Sequence, residues 1–222
     1  MRIMTGILAA ATVLATALPA VPAMAKQGDV LVRVRAINVM PNESSGSVLP
    51  GFPGEEVGVD NSPAPEIDIT YMATDNIGFE LIAATTKHSA SGVSGTTGSI
   101  GRLASTWVLP PTLTAQYHFA PEGAIRPYVG AGINYTIFWN EDATDELETA
   151  VGTTLVRMSD SFGWALQAGV DIPINERMFL NLDVKYIDIN TTATLTTTAA
   201  RTQTVDIDLD PLVVGIGIGM KF

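Results

Sequence analysis

Beyond residue 26, this 222-residue chain scatters its apolar residues among polar ones, and no run approaches the ~18 consecutive apolar residues of a membrane-spanning helix. Mean hydropathy is nonetheless positive. Backbone in hydrocarbon must satisfy its own hydrogen bonds. Without a spanning helix, that leaves the closed β-barrel, written as ~10-residue segments that alternate apolar with polar or small residues.

Eight such segments can be counted. In Val30–Met40, Val32, Val34 and Ala36 alternate with Arg33 and Arg35, so both arginines are expected inside. Segment 67–73 is the second. After the tight turn Thr74-Asp75-Asn76, segment 77–87 sets Phe79, Leu81 and Ala83 against Gly78, Glu80 and Ile82. Segment 112–119 follows Pro110-Pro111 and sets Leu113, Ala115 and Tyr117 against Thr114, Gln116 and His118.

Segment 126–139 opposes Val129, Ala131 and Ile133 to Gly130, Gly132 and Asn134, and segment 161–172 opposes Phe162, Trp164 and Leu166 to Gly163, Ala165 and Gln167. Small inward residues suit a narrow interior. Segment 178–189 places Asp183 and Lys185 inside. Segment 212–222 alternates Leu212, Val214, Ile216, Ile218 and Met220 with Val213, Gly215, Gly217, Gly219 and Lys221.

The connections are short at 74–76, 120–125 and 173–177 but long at 41–65, 88–106, 140–158 and 190–204. The predicted fold is therefore all-β: an eight-stranded antiparallel transmembrane β-barrel with short periplasmic turns, long extracellular loops and both termini periplasmic. Aromatic residues should mark the two interfaces. Tyr71, Phe79, Tyr117, Phe119, Phe179 and Phe222 fall near periplasmic ends, and Trp107, Tyr135, Trp139, Phe162 and Trp164 near external ends. A closed barrel has no free edge, so a monomer is expected.

Residues 1–25 read as a cleaved secretory signal peptide: Arg2, an apolar stretch to Leu18, then Ala23-Met24-Ala25 before the cleavage point. The remainder, 26–222, fits one domain. There is no cysteine, which excludes disulfides and thiolate metal sites, and the formal charge of -11 argues against nucleic acid and polybasic lipid attachment. The expected surroundings are outer-membrane lipid and lipopolysaccharide of a Gram-negative cell. The closing Phe222 resembles the terminal aromatic read by the barrel assembly machinery.

The strings YMATDNIGFELIAAT at 71–85, LPPTLTAQYHF at 109–119, RPYVGAGINYTIF at 126–138 and DIPINERMFLNLDVKYIDINTTATL at 171–195 together resemble the OmpW family over essentially the whole mature chain. That resemblance implies a narrow, largely apolar channel associated with passage of small hydrophobic molecules. It also implies a constriction at Ile82 and Lys185, where a lysine stands in place of the family's aromatic residue.

Eight strands enclose room for side chains or one slim ligand, so inward residues commonly just pack. The lumen-lining candidates are Arg33, Arg35, Glu80, Ile82, Gln116, Asn134, Gln167, Asp183 and Lys185. Their charges would form either a conduction element or a structural ion-pair plug, since lone buried charges are costly and paired ones can fill a barrel.

Catalysis is not expected. His88 and His118 are the chain's histidines, and neither comes with an orienting group or oxyanion motif. The acidic run 141–148 lacks the spacing of a calcium loop, so neither metal nor cofactor is expected. Two functions remain: a passive outer-membrane channel for small, mainly hydrophobic molecules, or a plugged barrel serving as a structural, adhesive or receptor surface. The first loop, rich in Gly, Pro and Ser, would suit contact with other cells or phage.

Overall fold

The structure, a computed structural model, describes residues 25–198 and 202–222. The expected leader lies outside them apart from Ala25. The barrel strands are β1 (Val30–Met40), β2 (Ser62–Met72), β3 (Ile77–Ala84), β4 (Thr112–His118), β5 (Arg126–Ala143), β6 (Ser161–Pro173), β7 (Met178–Ile187) and β8 (Leu212–Lys221). Each pairs antiparallel with the next, and β8 returns to β1 with Leu31 opposite Lys221 and Met40 opposite Leu212. Closure gives every barrel strand two partners, as lipid-exposed backbone requires, with one short unpaired stretch between β3 and β4.

Alternation sorts the two faces. Outward Val34, Ile69, Leu81, Ile133, Leu166 and Ile218 are all about half exposed and form the lipid belt, while Arg33, Arg35, Asp68, Glu80, Gln116 and Lys185 point inward and are buried. Inward glycines make room for large neighbours. A Cβ at Gly169 would run into the Tyr128 ring, and one at Gly219 into that of Phe179. Phe179 thus departs from its expected place in the periplasmic aromatic girdle. It sits at that end of β7 but points inward, 2% exposed, because it shares a face with Asn181 and Asp183.

The expected long loops are largely β structure outside the membrane. Thr86–Gly92 and Arg102–Leu109 continue β3 and β4 outward as a hairpin, with Thr86 opposite Val108, and the outer end of β5 joins it with Ala104 opposite Ala143. The six-residue helix α1 (Gly95–Ile100) forms the hairpin's tip, and α2 (Asp145–Val151) follows β5 behind an N-cap in which Thr144 accepts from the Leu147 amide. A second, four-stranded sheet joins Thr154–Met158, Asn190–Thr197, Thr202–Asp208 and Ser44–Ser45.

The first loop straps the second and fourth loops together. Val57–Val59 pairs with residues 90–92, the Leu49 amide donates to Thr204 O at 2.9 Å, and Glu55 accepts from the Thr96 and Thr97 amides at 2.9 and 2.7 Å. Its partners thus lie in the second and fourth loops.

Candidate functional site

The barrel interior is stacked in three layers. Lowest, at the periplasmic end, Leu31, Met72 and Phe179 pack with Ala25 into a small apolar cluster. Above it lies a ring of charge set by strand register. β1 and β2 place Arg33 opposite Asp68 and Arg35 opposite Glu66. Arg33 donates to Asp68 at 2.9 Å, Thr70 at 2.7 Å, Glu80 at 3.2 Å and, across the barrel, Asp171 at 3.1 Å.

Arg35 donates through Nη2 to Asp68 and, at 2.8 Å, to Glu80, and its guanidinium also lies 3.0 Å from Asp183 and 3.1 Å from Glu66. Lys185 donates to Glu66 at 2.8 Å and to Asp183 at 2.9 Å. Five carboxylates (Glu66, Asp68, Glu80, Asp171 and Asp183) therefore surround three cations in direct ion pairs. These pairings offset the cost of desolvating so many charges, although Arg33 Nε, Arg35 Nη1 and Asn181 Oδ1 find no hydrogen-bond partner among the described residues.

Neutral groups complete the ring. Gln116 donates to Glu80 at 2.8 Å and to Gln167 at 3.1 Å, Gln167 donates to Asp183 at 2.9 Å, and the Tyr128 hydroxyl donates to Asp183 at 2.7 Å. His118 joins Gln116 at 3.2 Å and stacks near Tyr128, so it is a packed member of the ring. Asn134 lies one layer up, donating to Thr112 Oγ1 at 2.8 Å.

Above the charges the character inverts. Ile37, Val39, Ile82, Ala84, Val108, Phe138, Ile187, Ile189, Ile207, Leu209 and Val213 line a vestibule with a cavity volume of about 70 Å3. Glu66, Lys185 and Thr112 form its floor. His88 lies in the wall with both ring nitrogens engaged, one with Asp60 O at 2.8 Å and the other with Thr86 Oγ1 at 3.0 Å. Among the described residues no group of three or more His, Asp or Glu side chains is placed to hold a metal ion.

The vestibule wall has a break. The β3–β4 ladder stops at Ile82 opposite Thr112 and resumes at Thr86 opposite Val108. Residues 83–85 and 109–111 therefore face each other without pairing, and Pro110 and Pro111 have no N–H to leave stranded in lipid. The break lies on the periplasmic side of the stacked pair Trp107 and Trp139, whose rings are 5.7 Å apart, and so within the apolar belt. Ala84 and Pro110 line both the break and the vestibule.

The structure brings Arg33, Arg35, Glu80, Gln116, Gln167, Asp183 and Lys185 into one network, with Ile82 and Asn134 at its upper boundary. Glu66, Asp68, Asp171, Tyr128 and Asn181 belong to it as well, though sequence reasoning did not single them out. Alternation already puts Asp171 on the inward face of segment 161–172, and the same alternation that placed Arg33 inside would have placed Asp68 there too.

Comparison with known proteins agrees with this architecture. The model of the OmpW family matches residues 26–222. Outer membrane protein W of Vibrio cholerae is 41% identical over 180 residues, covering 80% of this chain and 82% of that protein. The crystal structure of OprG from Pseudomonas aeruginosa superposes with a TM-score of 0.84 at 34% identity, covering 90% of this chain and 98% of that one. A more distant relative, the dibenzothiophene metabolism operon protein PahQ of Pseudomonas aeruginosa, is 28% identical over 78% of this chain and 79% of its own length. Barrel closure, luminal layering and these matches lead to one conclusion: the chain belongs to the OmpW family and is a protein of the outer membrane.

Proposed function

We propose that this protein takes small, mainly hydrophobic molecules from the cell exterior into its apolar vestibule and releases them sideways into the bilayer through the break between β3 and β4. The observation that carries this reading is the abrupt change from an apolar vestibule to a filled ionic floor at Glu66 and Lys185. An apolar solute gains nothing by descending into buried charges, and moving them aside would strand ions in a low dielectric. The unpaired wall beside Ala84 is the exit of lower cost. The name of PahQ, which ties that relative to metabolism of an apolar aromatic compound, fits such a cargo.

The ion-filled lower lumen also favours the second reading, a plugged barrel used as a structural, adhesive or receptor surface. Uptake separates the two. Cells producing the wild-type protein should take up 1-N-phenylnaphthylamine faster than cells lacking it. Ala84→Trp, which fills both vestibule and break, should cut that gain severalfold while the barrel still folds. Equal uptake with and without the protein would leave only the surface role.

A further inference from the structure

The vestibule floor carries hydrogen-bonding capacity that the protein does not use. Around the cavity, most polar side chains are committed: His88 to Asp60 O and Thr86, Thr106 to the Trp107 and Trp139 carbonyls, and Thr112 to Pro110 O and Asn134. Ser89 and Ser105 face each other farther out and are only partly buried. Glu66 is different. Its Oε1 accepts from Lys185 Nζ at 2.8 Å and lies 3.1 Å from Arg35 Nε, while no group among the described residues donates to its Oε2. The residue is 3% exposed, and it borders the cavity.

Lys185 borders the same cavity and uses two of its three N–H donors, on Glu66 and Asp183. An apolar tube thus ends on one spare acceptor and one spare donor side by side. Beneath them, the four carboxylates of Asp68, Glu80, Asp171 and Asp183 outnumber the paired Arg33 and Arg35.

We infer that the vestibule is specific for hydrophobic molecules with one hydroxyl head, such as alkylated phenols or alcohols. The apolar body lies against Ile82, Val108 and Phe138, and the hydroxyl donates to Glu66 Oε2 while accepting from Lys185 Nζ. A plain hydrocarbon leaves both groups unanswered. A carboxylate head brings negative charge against Glu66 and the acidic excess below it. This assignment rests on the vestibule being the solute site, and it deepens that reading by naming the head group.

The test is displacement of 1-N-phenylnaphthylamine from the full-length protein in lipid nanodiscs, corrected for protein-free discs, by 4-ethylphenol, ethylbenzene and 4-ethylbenzoate. A hydrogen bond to a charged group in an apolar site should make 4-ethylphenol about tenfold more effective than ethylbenzene. The benzoate should be the weakest, and Glu66→Leu should bring the phenol down to the level of ethylbenzene measured in the same variant. If the phenol only equals the hydrocarbon in the unmodified protein, if the benzoate is strongest, or if the advantage survives Glu66→Leu, the head-group assignment is overturned and the vestibule reading stands. If the probe does not bind, or no competitor displaces it, both fall.

Discussion

Arg35 is the residue on which the lower lumen turns. It is 1% exposed and its guanidinium meets Glu66, Asp68, Glu80 and Asp183. Removing it leaves carboxylates from three strands without their shared counter-charge. Arg35→Met should therefore destabilise the folded barrel by about 3–5 kcal/mol, the usual cost of breaking a buried pair from one side. Urea unfolding in lipid vesicles measures it, and a loss below about 1 kcal/mol would mean that the network contributes little to stability. Inward placement of Arg33, Arg35, Glu80, Asp183 and Lys185 was legible from strand parity. Their partners were less so, because parity gives the face of a side chain but not the register that sets Arg35 opposite Glu66. Phe179 shows the converse: aromatic type suggested the interface, and parity overrode it.

At the scale of elements, the membrane-embedded strands were readable and their outer extensions were not. Lipid contact imposes an apolar outward face, and it is this band that makes segments such as 126–139 and 212–222 visible. Thr86–Gly92, Arg102–Leu109 and Asn190–Thr197 pair in water, where the outward face carries no such demand, so Ser, Thr and Gly there read as loop. The start of β2 was hidden for another reason: Pro63 and Pro65 look like strand breakers, yet they are tolerated in β2, which runs from Ser62 and pairs with β1 throughout.

The strap over these extensions is sensitive to acid. The Thr97 and Thr96 amides hold the Glu55 carboxyl below its ordinary pKa. A depressed folded value means the contact contributes fully above the ordinary glutamate range and is lost as pH falls through the lowered value. Hydrogen exchange at Thr96 and Thr97 should stay slow at neutral pH and lose protection in strong acid, with Glu55→Gln abolishing that transition. Protection that ignores both pH and Glu55 would remove the strap's electrostatic basis.

At the scale of the whole molecule, one barrel is divided between two jobs. The periplasmic half is a closed, ion-paired seal over the apolar cluster of Leu31, Met72 and Phe179, and the outer half is an apolar vestibule with an unpaired stretch of wall at membrane level. Fold, orientation and family were accessible from alternation and motif. The division of the lumen was not, because it depends on which inward residues share a level around the barrel. Diffraction at the bromine edge from crystals soaked with 4-bromophenol tests the division most directly. The account predicts anomalous density in the vestibule between Ile82, Val108 and Phe138, above Lys185, and none below Arg35. Bromine in the lower half, among Gln116, Tyr128 and Asn181, would contradict it.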